Sequence, residues 1–209
     1  MNQKATRIFL GTCALCLLLT SCRQRSSALE GGDDSGEKTA MESTAQPPGQ
    51  PGESEDLLQA ALEGRADEVH LILQTGMDIN STDEEGHTAL MFAAFNGHAS
   101  IVLELVGRGA IVDQPDQQGR TALLYAATGP FPETVKILLD HGADPNQVDT
   151  GEHFSPLMHA AAEGHLEVVK LLIENGADPS LKDIDGDLAE TFARQAGHLE
   201  VAAYLEALP

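Results

Sequence analysis

Two sets of glycines restrict the fold more than any count of residue types. Gly76, Gly109, Gly142 and Gly176 are spaced by 33, 33 and 34 residues, and Gly64, Gly97, Gly164 and Gly197 stand at a second set of corresponding points. Leu57, Leu90, Leu123 and Leu157 repeat in step, as do the pairs Ala60-Ala61, Ala93-Ala94, Ala126-Ala127 and Ala160-Ala161. A period of this length marks stacked units, none of which can bury its apolar face alone. The one extra residue falls between Asn146 and Ser155, where a longer loop tip absorbs it at small entropic cost.

The stretch 155–179 shows what one unit contains. Ser155 is a candidate N-cap, and Pro156 at the first helical position loses no hydrogen bond. Leu157, Ala160 and Ala161 then share one face of a short helix. Gly164-His165 interrupts it, Glu167 opens a second helix, and Val168, Val169, Leu171, Leu172 and Ile173 make that helix apolar on most sides. Gly176 suits a left-handed C-cap, and Asp178-Pro179 turns the chain outward. Unit three departs from this plan, because Pro130-Phe131-Pro132 replaces Gly-His and predicts that its first helix stops by Gly129. Gly107 weakens the second helix of unit two by about 1 kcal/mol relative to Ala.

Thr88-Ala-Leu, Thr121-Ala-Leu and Ser155-Pro-Leu, each followed by Ala-Ala and later by Gly-Ala, resemble the ankyrin repeat. The resemblance implies an all-α fold, an ankyrin-repeat solenoid of helix pairs with projecting hairpin fingers, whose concave groove and fingertips bind proteins. Five units follow: 54–82, 83–115, 116–148, 149–182 and 183–209. The family's His after Thr-Pro-Leu is replaced by Met91, Leu124 and Met158, which removes its hydrogen bond to the capping hydroxyl. In unit five Leu188 replaces that hydroxyl and Glu190 replaces the periodic Leu, as suits a terminal cap with a polar outer face.

The N-terminus is of another kind. Lys4 and Arg7 precede a largely apolar run from Ile8 to Leu19, too short to span a bilayer and consistent with a secretory signal over residues 1–21. Leu19-Thr20-Ser21-Cys22 resembles the bacterial lipobox, which implies a chain that begins at a lipidated Cys22. Cys13 and Cys16 would leave with the signal, so the mature domain keeps neither a free thiol nor a disulfide. Two or more acyl chains anchor stably at about 0.8 kcal/mol per buried methylene. Arg23 after the cysteine favours, by the enterobacterial sorting pattern, an outer membrane with the protein facing the periplasm. Residues 22–53 are rich in Ser, Gly and Pro and read as a disordered tether with a reach of roughly 30 Å.

Charge narrows the partners. Without Lys4 and Arg7 the chain carries 10 basic and 33 acidic side chains, a net of −23, which excludes nucleic acid and repels anionic lipid. The membrane is therefore reached through the lipid anchor only. The partner expected is a protein with a basic patch, and the chain itself is expected to be a monomer.

No residue pattern supports catalysis, a cofactor or a metal. His98, His165 and His198 occupy the Gly-His turn, and His159 is periodic with Phe92, Tyr125 and Phe192, which makes it a packed helix position. Asp183 to Asp187 resembles half a calcium loop, yet Leu188 and Arg194 stand where Gly and Glu are needed. What remains is binding. The positions after the Ala-Ala pair and those at the fingertips lie outside the periodic core, and they supply the candidate protein-binding residues Glu84, Glu85, His87, Phe95, Asn96, Gln117, Gln118, Arg120, Thr128, Glu152, His153, Phe154 and Asp187. Phe95 and Phe154 are the natural aromatic anchors among them unless they fold back onto the stack. The reading is an envelope module that holds a protein partner; the alternative is an immunity-type inhibitor of a toxic enzyme in the periplasm.

Overall fold

A computed structural model describes residues 51–208. The expected signal, the lipidated Cys22 and all but the last three residues of the tether lie outside the described residues. The first helix, α1 (Pro51–Glu63), already begins inside the stretch assigned to the tether, with Pro51 at its start. Glu55 and Asp56 place negative charge near its N-terminus, where the helix dipole favours it.

Nine further helices follow, the first pairing with α1 and the rest with one another. They are α2 (Ala66–Gln74), α3 (Ala89–Phe95), α4 (Ala99–Gly107), α5 (Ala122–Ala127), α6 (Pro132–Asp140), α7 (Pro156–Glu163), α8 (Leu166–Glu174), α9 (Ala189–Ala196) and α10 (Leu199–Glu206). Odd-numbered helices pack against odd-numbered neighbours and even against even, so two layers run through the stack. The periodic leucines Leu57, Leu90, Leu123 and Leu157 and all four Ala-Ala pairs are buried between these layers. Among the described residues a single antiparallel bridge pairs Thr82 with Thr88 at the base of a finger.

Local chemistry sets the helix ends. Thr88, Thr121 and Ser155 each accept from the backbone N–H three residues on, at 3.2, 3.5 and 3.3 Å. Where the family's His is missing, the Sδ of Met91 and of Met158 accepts from the backbone N–H of Thr88 and Ser155, at 3.4 and 3.5 Å. The thioether is a weak acceptor, but it reaches back to the cap as a Glu would in a capping box. In unit five the same reach is made by Thr191 Oγ1 to the Leu188 N–H at 3.4 Å. As anticipated, α5 ends before Gly129 and α6 starts on Pro132.

In the first four units the turn between paired helices is closed by a ring from the next unit. His98 Nε2 donates to Leu62 O and His165 Nε2 to Thr128 O, both at 3.2 Å. Phe131 takes the histidine's place in unit three and lies so close to Gly97 that an added Cβ would meet its ring at 2.3 Å. Gly97 also has φ +70°, so neither the space nor the backbone there admits a side chain. His98 and His165 thus tie each turn to the carbonyl of the preceding unit.

Two stability measurements test this register. Leu123 is fully buried in a middle unit, so Leu123→Ala should cost about 2–5 kcal/mol in a denaturant melt, against less than about 0.5 kcal/mol for Gln117→Ala on a finger. Gly107 is the last residue of α4 and a Cβ there meets nothing within 4 Å, so Gly107→Ala should raise stability by about 0.5–1 kcal/mol.

Candidate functional site

The fingers are built on one device. Asp83, Asp116 and Asp183 each turn Oδ1 toward the backbone N–H groups two and four residues on, for example Glu85 at 3.1 Å and His87 at 2.7 Å from Asp83. Asp149 does the same for Gly151, Glu152 and His153, and the extra residue of unit four is taken up there by His153 at φ 58°. Neighbouring fingers are then laced together, Gln117 N to Glu85 O at 3.1 Å, Thr150 N to Gln118 O at 2.8 Å and Ile184 N to Glu152 O at 3.1 Å. The tips therefore form a continuous row and not independent loops.

This lacing sorts the candidate residues. Glu84, Gln117, Gln118 and His153 are exposed on the row, while Glu85, Glu152 and Asp187 are half-buried along it. His87 and Phe154 are corrections to the sequence reading, since they are only 2 % and 7 % exposed. The hairpin register explains why. The carbonyls of His87, Arg120, Phe154 and Asp187 accept from Asp83, Asp116, Asp149 and Asp183, so all four occupy one position, immediately before the helix cap, and there the His87 and Phe154 rings pack against rings of the odd-numbered helices. Asn96 and Thr128 end α3 and α5, and their side chains donate to Phe92 O and Tyr125 O, so both have local capping duty as well. Phe95 is half-buried, edge-on to Tyr125 with ring centroids 6.2 Å apart.

Two contrasting clusters result. Between units two and three, Asp116 Oδ2 accepts from Tyr125 Oη at 2.7 Å and from Arg120 Nε at 2.9 Å, and the Arg120 guanidinium covers the Tyr125 ring at 4.9 Å. Burial, with the Asp116 hydrogen bond behind it, pushes the Tyr125 phenol well above its ordinary value. Burial alone would raise Asp83, but hydrogen bonds from the His87 side chain and backbone hold its carboxyl below the usual range. Between units four and five the lining is aromatic: Phe154 lies edge-on to His159 and Phe192 at 5.6 and 5.2 Å.

Sequence reasoning missed the first cluster and one surface feature. Ile184 is 53 % exposed at the tip position held elsewhere by Glu84, Gln117 and Thr150. Aligning the fingers on their first Asp, and not on the glycines alone, reveals it.

Paired helices, a two-layer stack and laced fingers define a helical repeat solenoid. A family model described as ankyrin repeats in three copies matches residues 57–149 and again 131–207, and the chain belongs to the ankyrin repeat family. Comparison with curated proteins finds no match. Ankyrin repeats are protein-interaction modules, and among the described residues no helix is long and apolar enough to cross a membrane.

His159 offers a test of the aromatic cluster. Burial pushes its imidazole down to about 4, against an ordinary 6.5, and its Nδ1 is buried without a partner. The unfolded chain therefore takes up the proton first as pH falls. Stability from this group is complete above about pH 6.5 and is lost toward pH 4, at no more than about 1.4 kcal/mol per pH unit. His159→Phe, the residue found at this register in α3 and α9, should flatten urea-melt stability between about pH 6.5 and 4.5. An equally steep fall in the variant would assign the loss to other groups.

Proposed function

We propose that this chain is a lipid-anchored protein-binding module of a bacterial envelope, and that it takes a basic protein on the face formed by the fingers and the odd-numbered helices. The observation that carries the reading is the state of its cations. Residues 54–209 hold seven Lys and Arg against 27 Asp and Glu, a net of −20. Six of the seven, Arg65, Arg108, Arg120, Lys136, Lys170 and Arg194, are in ion pairs with carboxylates of the same domain. Such a surface offers an approaching protein almost no uncommitted positive charge, so its field steers basic partners in and acidic ones away.

The fingertip row supports the choice of face. It presents Glu84, Gln117 and Gln118 on the fingers of units two and three and the exposed Ile184 on that of unit five, polar and charged groups and one apolar contact along a single row. Phe95 adds a half-buried ring at the end of α3. Anchoring rests on the lipobox-like Leu19-Thr20-Ser21-Cys22, and it offsets the repulsion that a domain of this charge meets at an anionic leaflet. A monomer on a tether, in an outer membrane and facing the periplasm, fits these features.

One experiment in the intact envelope tests both halves. A photocrosslinker at Gln117 should trap a basic protein, with the yield falling several-fold as salt rises from about 0.1 to 0.5 M, whereas a crosslinker at Leu103 on α4 should trap none. Cys22→Ala should release the chain from the membrane fraction. A salt-indifferent adduct, or trapping from Leu103 alone, argues against the face and the charge; unchanged fractionation of Cys22→Ala argues against the anchor.

A further inference from the structure

The finger of unit two brings together three side chains with metal-ligating atoms. Along Asp83-Glu84-Glu85-Gly86-His87 the turn brings a carboxylate oxygen of Asp83, one of Glu85 and a ring nitrogen of His87 within 4.8 Å of one another. Asp83 Oδ1 is engaged by backbone N–H groups, but its Oδ2 faces His87 Nδ1 at 2.8 Å. The matching residues are Asp116, Gln118 and Arg120 in unit three and Asp183, Asp185 and Asp187 in unit five, so neither of those fingers has the imidazole.

The far side of the ring supplies an independent observation. The His87 side chain is 3 % exposed, and its Nε2 is buried with no hydrogen-bond partner, 3.7 Å from Asp116 Oδ2. A neutral ring that donates from Nδ1 to Asp83 turns the Nε2 lone pair toward a buried carboxylate, acceptor against acceptor. A cation on Nδ1 reverses the tautomer. Nε2 then carries the proton and directs it at Asp116, which Tyr125 and Arg120 already hold in place. An imidazole that binds metal through one nitrogen and hands the other N–H to a carboxylate is the usual arrangement in metalloproteins.

We propose that Asp83, Glu85 and His87 form a site for one divalent cation of the zinc class, with His87 Nδ1 and one oxygen of each carboxylate as ligands and Asp116 receiving the Nε2 proton. One imidazole with two carboxylates suits Zn2+ better than Ca2+ or Mg2+, which take oxygen ligands. Two carboxylates neutralise the dication. Ligands about 2.0–2.2 Å from a tetrahedral zinc lie about 3.3 Å apart, so the Asp83 and His87 atoms separate by about 0.5 Å on binding. Asp83 is 24 % exposed and Glu85 half-buried, which leaves an entry path from the tip and a fourth position for water or a partner's side chain.

The test uses the full chain carrying Cys13→Ser, Cys16→Ser and Cys22→Ser, so that thiolates cannot compete, after chelator treatment and titration with ZnCl2 or CoCl2. One saturable site is expected, with visible Co2+ ligand-field bands. Glu85→Gln should weaken it by at least about tenfold, while Glu84→Gln, a fingertip carboxylate outside the group, should leave it unchanged. Metal-free thermal melts of both variants should overlay the parent, since neither side chain is buried. Nitrogen NMR of His87 should show the ring proton moving from Nδ1 to Nε2 as zinc is added. Equal affinity losses in the two variants, no binding tighter than about millimolar, or a proton that stays on Nδ1 overturns the proposal.

Discussion

A short helix that is apolar on most sides has to be covered from outside its own unit, and that requirement governs everything described above. Helices of six to nine residues, such as α5 and α8, are too short to be stable alone in water, so they exist because neighbours bury them. Burial of a Leu or Val side chain contributes roughly 1.5–3 kcal/mol, and the chain provides one periodic leucine and one Ala-Ala pair per interface to collect it. The small alanines let the odd-numbered helices approach closely; the left-handed glycine turns return the chain for the even-numbered layer. Much of the stability is consequently held at the interfaces between units.

The parts of the fold that were legible in the sequence are those fixed by chemistry within about four residues. The caps at Thr88, Thr121 and Ser155, the stop before Gly129 and the start on Pro132 follow from which groups can accept, donate or fit at a helix end. The surface was less legible. His87, Arg120, Phe154 and Asp187 share a register position but no common polarity, so no periodic signal marks it as inward-facing. The extra residue of unit four hid the equivalence further, because alignment from the preceding glycine leaves Phe154 as an outlier, whereas alignment back from the cap at Ser155 places it correctly. Thioether acceptance by Met91 and Met158 and the bonds from Asp116 to Arg120 and Tyr125 depend on side-chain positions that spacing does not encode.

The two inner clusters show that equivalent interfaces need not be equivalent chemically. The lining between units two and three is a polar network around a carboxylate with a fully buried side chain, whose desolvation is offset by a phenol and a guanidinium on one oxygen and two backbone N–H groups on the other. Between units four and five the same space is filled by rings, and His159 Nδ1 there is buried without a partner. The first arrangement fixes geometry at the risk of a large loss if one donor is removed. The second is tolerant of shape but sensitive to acid.

The bonds that cross from unit to unit share a direction. At the turns the donor is the later unit's histidine and the acceptor an earlier carbonyl; along the fingers Gln117, Thr150 and Ile184 donate back to Glu85, Gln118 and Glu152. At the loops Ile111 and Asp178 donate back to the side chains of Asn80 and Asn146. With two reversals, from Asn146 Nδ2 to Gly176 O and from His70 Nδ1 to Glu104 Oε1, each segment leaves acceptors in place for the next. A ribosome releases this chain in the same order. Each newly emerged pair of helices meets acceptors already placed on its N-terminal side and in turn covers the turn made before it, so assembly can follow synthesis about one unit behind.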